Sequence, residues 1–173
     1  MKNPPFIVTA VLPRDIFAWA DALRREHYPS ERNHLAAHVT LFHSFAPSLF
    51  EELKDLLPKF VAGQAPIPAQ ITGLMDLGKG TAIAIRSHGM LLLREQIAEH
   101  FRGSLTAQDL HEPRLHITIQ NKVTREEARR LQAELAPQIE PREFSFNGLE
   151  LHIYRGGPWE FVRAFAFRGR GQT

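Results

Sequence analysis

Two short segments of the chain place a histidine and a threonine at the same spacing. His38 and Thr40 lie two residues apart, as do His116 and Thr118, and each of these four residues is followed by an apolar one. In a shuffled chain of this composition, roughly 0.08 tetrapeptides of this kind are expected. The second copy therefore predicts that the two segments act together.

Imidazole and hydroxyl groups in this arrangement suit proton transfer at an anionic group. One histidine can take a proton from an attacking hydroxyl or water while the other protonates a leaving oxygen. Threonine hydroxyls donate hydrogen bonds to oxygens on which negative charge builds. We therefore predict phosphodiester chemistry, with His38 and His116 as the catalytic pair and Thr40 and Thr118 as phosphate-binding residues. The residues alone leave open which histidine is the base.

Extended strands would position both segments. In a strand, residues i and i+2 point to the same face, so each histidine shares a face with its threonine. The apolar residues of the two segments then enter a core: Val39, Leu41, Ile117 and Ile119. Arg114 and Gln120 continue the face of His116, and Lys122 follows the end of that strand. We predict these three as possible substrate contacts, and exposed charge is the alternative for Arg114 and Lys122.

Aromatic and basic side chains flank the last predicted turn. Tyr154, Arg155 and Trp159 surround two consecutive glycines, where backbone can approach a ligand. An aromatic ring and a guanidinium can sandwich a nucleobase and its phosphate. We predict these three as possible substrate contacts, and core packing is the alternative for Trp159.

A metal site is another use of the histidines near the first segment. His34, His38 and His43 are close in sequence, but His38 and His43 fall on opposite faces of a regular strand. No acidic residue interleaves them as in a helical zinc motif. We therefore predict no metal and no cofactor.

Composition limits the class of protein. The chain has 173 residues, enough for one domain, and its net charge of +2 does not indicate a basic nucleic-acid-binding domain. The absence of cysteine excludes disulfides, thiolate metal sites and a cysteine nucleophile. We find no signal-peptide core and no segment of membrane-spanning length. We expect a cytoplasmic monomer that does not bind membranes.

Hydrophobic periodicity predicts alternating strands and helices. Strands are predicted at 6–12, 37–42, 69–77, 81–86, 115–121, 144–154 and 160–167. Helices are predicted at 14–28, 47–61, 91–101 and from 124 to before Pro137, the last with Thr124 as its N-cap. Glycine-rich turns at 78–80 and 155–159 predict two hairpins, and residues 103–113 are predicted as a loop.

The order strand, helix, motif strand, helix, strand occurs twice, and its parts recur 74 to 78 residues later. We therefore predict one α+β domain over 1–173 made of two pseudo-repeated lobes, 6–77 and 80–154, with a final strand at 160–167. The duplicated bilobal fold would have two antiparallel-rich sheets, helices on the outside and a central cleft. The alternative is that this common element order arose without duplication.

The paired motifs and duplicated layout resemble those of the two-histidine (2H) phosphoesterase superfamily, which includes 2′-5′ RNA ligase-like proteins and cyclic nucleotide phosphodiesterases. The resemblance rests on residues 38–41 and 116–119 and covers nearly the whole chain. It implies metal-independent chemistry on a nucleotide or RNA end that carries a 2′,3′-cyclic phosphate or a 2′-5′ linkage. It also implies that His116 is the base on water and His38 the acid on the leaving oxygen.

Two other functions stay open. The cleft could hold a nucleotide or RNA end without turnover, in which case the ligand is unchanged after long incubation. A metal-dependent hydrolase would instead lose its activity on chelation.

Overall fold

The computed structural model describes residues 3–170, which form two four-stranded antiparallel sheets with packed helices. The strands are β1 Phe6–Ala10, β2 Val39–Phe45, β3 Ile67–Asp76, β4 Thr81–Arg86, β5 His116–Gln120, β6 Arg142–Phe146, β7 Gly148–Tyr154 and β8 Trp159–Ala166. The helices are α1 Arg14–His27, α2 Phe50–Val61, α3 His88–Phe101, α4 Ala107–Leu110 and α5 Arg125–Leu135. The predicted α+β class with two antiparallel sheets is confirmed.

Each motif strand lies at the edge of its sheet. The first sheet has the order β2-β1-β7-β8 and the second has the order β5-β4-β3-β6, so β2 and β5 take equivalent positions. These two edge strands also contact each other. Both His-Thr motifs therefore lie where the two sheets meet.

The chain passes from the second sheet to the first at Asn147. The prediction of one strand over 144–154 is wrong, because β6 pairs with β3 whereas β7 pairs with β1. Asn147 donates its backbone N–H to the carbonyl of Val11 and accepts from the N–H of Phe167. Asn147-Gly148 is a turn signal that the prediction of a single strand passed over, and a turn signal alone does not reveal that the next strand joins the other sheet.

Sheet membership does not follow the limits of the two predicted repeats. The strand β3 belongs to the stretch 6–77 but lies in the second sheet. The first sheet combines residues 6–45 with 148–166, and the second uses residues 67–146. The pairs β1-β2 and β4-β5 are nevertheless placed alike, and duplication of the chain stays a prediction.

One hydrophobic core joins the sheets and the helices. The apolar residues of both motifs are completely buried in it: Val39, Leu41, Ile117 and Ile119. The helix α1 follows β1 of the first sheet but packs against β5 of the second, and α3 and α5 pack against β3. Each motif strand is thus anchored through its apolar face, which leaves the polar face for the cleft.

Hydroxyl groups set the start of two helices. Thr124 accepts the N–H of Glu127 as predicted, and α5 begins at the next residue. Ser87 accepts the N–H of Met90, so α3 begins three residues before its predicted start.

The predicted loop at 103–113 contains the short helix α4. Among residues 3–170, no helix combines the length and the apolar character that crossing a bilayer requires.

Candidate active site

A β-bulge follows the threonine of the first motif. Successive residues of β1 pair with Thr40 and Phe42, which leaves Leu41 as an extra residue in β2. Both Leu41 and Phe42 are completely buried. Because two successive residues, Leu41 and Phe42, both point into the core, the next residue, His43, lies on the same face as Thr40. The predicted placement of His38 and His43 on opposite faces is therefore wrong.

The second motif has a bulge at the equivalent place. Successive residues of β4 pair with Gln120 and Thr118, which leaves Ile119 as the extra residue in β5. Ile119 and Gln120 are both buried. Asn121 therefore takes the position that His43 has in the first motif.

Both motif histidines are fixed by a carbonyl oxygen two residues earlier. Nδ1 of His38 lies 2.8 Å from the carbonyl oxygen of Ala36, and Nδ1 of His116 lies 2.6 Å from that of Arg114. A carbonyl oxygen only accepts, so Nδ1 carries the hydrogen in both rings. Each neutral imidazole therefore has an unprotonated Nε2 that can accept a proton.

Burial lowers the pKa of both histidines. Desolvation, with nearby cationic groups that include His116 as smaller causes, lowers the pKa of His38 to about 4. Desolvation also lowers the pKa of His116, and the charges of Arg114 and His43 add to this effect. Both imidazoles are therefore neutral at pH 7 in the ligand-free protein.

Two buried arginines hold the backbone of the motif strands. Arg24 of α1 donates from Nη1 to the carbonyl oxygen of Thr118 and from Nε to Oδ1 of Asn33, each at 2.9 Å. Arg94 of α3 donates from Nε to the carbonyl oxygen of Leu41 at 3.2 Å. Each arginine thus links a helix that follows a strand of one sheet to the motif strand of the other.

A cavity of about 430 Å³ opens beside His38. We call it the aromatic cavity, and its lining includes Phe17, His38, His152, Trp159 and Phe161. The ring centroids of His38 and Trp159 are 4.6 Å apart, and those of His152 and Trp159 are 5.5 Å apart. Trp159 therefore packs directly on a motif histidine.

A second cavity, of about 210 Å³, opens beside His116. We call it the polar cavity, and its lining includes Thr40, His43, Arg94, Gln108, Asp109, His111, Glu112, Arg114 and His116. It joins residues of both motifs. Thr118 is half-buried and lines neither of these two cavities.

A buried carboxylate orients His43 in the polar cavity. Asp109 of α4 is 1% exposed and accepts the backbone N–H groups of His43 and Ser44. Its Oδ1 also lies 3.2 Å from Nδ1 of His43. Burial alone would raise the pKa of Asp109, but the hydrogen bonds from His43 and Ser44 hold it below its ordinary value. The ionised carboxylate accepts, so Nδ1 of His43 carries the hydrogen and Nε2 is left for the cavity.

Comparison with known families decides where the chain belongs. The profile of the 2′-5′ RNA ligase superfamily matches residues 12–158, which include both motifs. The chain belongs to the 2′-5′ RNA ligase superfamily. This membership confirms the resemblance to the 2H phosphoesterases, whose fold and paired motifs the sequence suggests. No curated protein sequence is significantly similar to this chain.

Solved structures share the fold of this superfamily member at low sequence identity. The protein TT0787 of Thermus thermophilus is 17% identical, with a TM-score of 0.68 over 96% of this chain and 100% of its own. E. coli LigT complexed with 3′-AMP is 15% identical, with a TM-score of 0.66 over 96% of this chain and 99% of its own. LigT complexed with NADP+ gives a TM-score of 0.60 at 15% identity, over 96% of this chain and 99% of its own.

The other residues predicted as substrate contacts lie in different places in this superfamily member. Arg114 lines the polar cavity and Trp159 lines the aromatic cavity. Gln120 is 6% exposed and accepts a hydrogen bond from Thr81, because the bulge turns its side chain inward and away from the cleft. Lys122 is exposed in the turn after β5, in a left-handed conformation with φ of 61°.

The remaining two residues predicted as substrate contacts, Tyr154 and Arg155, lie in the final hairpin. Tyr154 is 41% exposed and pairs with Trp159 across the hairpin. Arg155 forms an exposed ion pair with Glu160 at 2.7 Å. Neither Tyr154 nor Arg155 lines the aromatic cavity.

Sequence reasoning missed the groups that surround the motifs. His43 was assigned to the wrong face, and Asp109 lies in a stretch predicted as a loop. His152 and Arg24 gave no signal, because a polar residue within a strand or helix is ordinarily solvated. Residues 3–170 contain no group of three or more histidine, aspartate or glutamate side chains arranged to hold a metal ion.

Proposed function

We propose that this protein is a metal-independent phosphodiesterase that hydrolyses a 2′,3′-cyclic phosphate, or a related 2′-5′ linkage, on a nucleotide or RNA end. Membership of the 2′-5′ RNA ligase superfamily supports the reaction class. The observation that carries the proposal is the matched pair of histidines, each with Nδ1 bonded to a carbonyl and Nε2 left to exchange a proton. The structures of LigT complexed with 3′-AMP, NADP+ and ATP support a nucleotide ligand.

The reaction needs one imidazole as base and the other as acid. The base removes a proton from water through Nε2 while the water oxygen attacks phosphorus. The bond from phosphorus to one ribose oxygen breaks, and the acid gives its Nε2 proton to that oxygen. The product is a nucleoside monophosphate ester, and proton exchange with solvent restores the two imidazoles. Thr40 and Thr118 donate to the non-bridging oxygens, where negative charge increases.

The pKa values favour His38 as the base and His116 as the acid. A base must be unprotonated, and His38, whose pKa is lowered to about 4, meets this condition at neutral pH. A bound phosphate anion favours the charged form of a nearby imidazole. We assign that proton to His116, because burial lowers the pKa of His38 further than that of His116. The roles are then the reverse of those that the resemblance implies.

The test is turnover in the absence of metal. Protein treated with EDTA is incubated with 2′,3′-cyclic nucleotides and with short RNAs that end in a cyclic phosphate. We expect hydrolysis, and a loss of about 100- to 10,000-fold in kcat/KM for His38→Ala and for His116→Ala. His88→Ala is the matched control, because His88 is exposed at the start of α3 and lines neither cavity. No turnover, or equal turnover by all three variants, would refute the proposal.

A second candidate is binding of a nucleotide or RNA end without turnover. The burial of both imidazoles favours it, because desolvation lowers their pKa values and so disfavours the protonated acid that hydrolysis needs. Tight binding of a cyclic nucleotide that is recovered unchanged after long incubation would support this function over hydrolysis.

A further inference from the structure

The proposed reaction leaves several side chains of the polar cavity unused. His43, His111 and Arg114 line this space, which also meets Thr40 and His116. The cavity volume of about 210 Å³ is several times the volume that one water molecule occupies in the liquid, ~30 Å³. The space is therefore large enough for a chemical group of the substrate.

His43 is held ready to meet such a group. The bulge after Thr40 turns His43 to the cleft face, and the buried carboxylate of Asp109 fixes its ring through Nδ1. The carboxylate also accepts the backbone N–H groups of His43 and Ser44, and these hydrogen bonds hold it in the interior. Its negative charge is thus satisfied by internal donors. In the imidazolium form of His43, Nε2 also carries a hydrogen and can donate to an anion in the cavity.

The groups around His43 favour an anionic ligand. The guanidinium of Arg114 is exposed at the cavity, and its charge is felt at His116. Glu112 is the opposing charge, an exposed carboxylate on the lining. A guanidinium and an imidazolium beside a reacting phosphate are suited to a further phosphate, since both donate N–H groups and Arg binds phosphate through two parallel ones.

We propose that the polar cavity binds a second phosphate of the substrate, held by His43 and Arg114, while the first phosphate reacts between His38 and His116. This inference rests on the proposed function and narrows its substrate class to nucleotides or RNA ends with a further phosphate near the reacting one. The site is one-sided, because Asn121 replaces the histidine at the equivalent place in the second motif.

The second phosphate has two possible sources with the same chemistry. It can be the 5′-phosphate of the nucleotide that carries the cyclic phosphate. It can also belong to the nucleotide on the other side of a 2′-5′ linkage. Comparison of the two substrate types, each with and without the extra phosphate, separates these sources by the change in KM.

Binding of two product-like probes tests the subsite without relying on turnover. Adenosine 3′-phosphate and adenosine 3′,5′-bisphosphate are titrated by calorimetry into the wild-type protein. We expect the bisphosphate to bind about 10- to 100-fold more tightly, the size of one or two hydrogen bonds to a charged group. His43→Asn, which copies the residue of the second motif, and Arg114→Gln should each reduce this ratio about tenfold.

Two further variants complete the design. Glu112→Gln removes the opposing charge and should increase the ratio. His88→Asn is the matched control and should leave the ratio unchanged, because His88 lies outside this cavity. The melting temperature of each variant is measured to verify that it is folded.

The outcomes distinguish the two proposals. A ratio that His43→Asn and Arg114→Gln leave unchanged overturns the subsite, as does equal affinity for the two probes together with a KM that the extra phosphate lowers in neither substrate type. Equal affinity for the two probes with a lower KM for the linked substrate alone assigns the second phosphate to the 2′-5′ neighbour, and the subsite stands. Absence of turnover with a preserved affinity ratio refutes the hydrolase and retains the subsite.

Discussion

The guanidinium of Arg24 donates a hydrogen bond to the carbonyl oxygen of Thr118, 2.9 Å away. Arg24 lies in α1, which follows the first strand of one sheet, whereas Thr118 is the phosphate-binding candidate of the other. Arg24 is 3% exposed and also packs over the ring of Tyr28. The position of Thr118 therefore depends on a helix from the opposite half of the molecule.

Arg24→Ala should destabilise the fold and misplace the second motif. The change leaves the carbonyl of Thr118 and the amide of Asn33 without their donor and opens a cavity, so we expect a loss of about 2–4 kcal/mol in the free energy of unfolding. Arg25→Ala is the matched control, because Arg25 is 70% exposed in its pair with Asp21 and should cost less than about 0.5 kcal/mol. Urea unfolding measures both, and equal effects would contradict the role of Arg24.

Removal of one motif hydroxyl should slow turnover more than it weakens binding. Thr40→Val and Thr118→Val keep the shape of the side chain but lose the donor, so we expect kcat to fall about 100- to 1,000-fold. The serine variants retain the hydroxyl and should keep most of the activity. Thr72→Val, at an exposed position of β3, is the control. A fall confined to KM would show that the hydroxyls do not act on the developing charge.

Protonation of His38 should lower stability in mild acid. Its pKa is about 4 in the folded protein and near 6.5 in an unfolded chain, so the unfolded chain binds more protons between these values. The free energy of unfolding should therefore decrease as the pH falls from 6.5 to 4. His38→Gln should flatten this dependence, whereas His88→Gln should not. Parallel curves for wild type and His38→Gln, measured by urea unfolding, would contradict the lowered pKa.

Trp159 should contribute to binding of the nucleobase. It packs on His38 in the aromatic cavity, and base stacking on an aromatic ring is worth about 1–3 kcal/mol. We expect Trp159→Leu to raise the KM for a cyclic nucleotide about 5- to 100-fold. Tyr154→Leu is the matched control, since Tyr154 pairs with Trp159 but lies outside the cavity lining. Equal increases in KM for Trp159→Leu and Tyr154→Leu would show that the nucleobase does not stack on Trp159.

Replacement of the leaving oxygen by sulfur should identify the acid. A thiolate leaves without a proton because thiols have a pKa of about 8.5. The variant that lacks the acid should therefore regain activity on the sulfur substrate, whereas the variant that lacks the base should not. We expect recovery for His116→Ala and none for His38→Ala. Recovery by His38→Ala instead would restore the roles that the resemblance implies.

Local patterns predicted most elements but not their assignment to sheets. The capping box at Thr124, both hairpins and the buried residues of the motifs follow from short-range rules, and the structure agrees with them. The pairing of β3 with β6, and of β1 with β7, depends on contacts between distant parts of the chain. No alternation of apolar residues within one strand encodes which partner it has.

The same limit applies to the site. A repeated spacing identified the two motifs, but the alternation rule failed at His43 and Gln120 because a bulge shifts the face by one residue. Asp109 and Arg24 act through hydrogen bonds to backbone atoms, which leave no mark on the residue types of their partners. Such groups become visible only when the tertiary structure brings them to the motif.

The passage of the chain at Asn147 has a consequence for synthesis on the ribosome. The second sheet is built from the continuous segment 67–146, so it can pair as soon as that segment has emerged. The first sheet can be completed only after β7 and β8 have been synthesised, because β1 pairs with β7. A nascent chain that ends before residue 148 thus carries both His-Thr motifs while β1 exposes an unpaired edge. We expect this interval to be the stage at which a chaperone is most useful.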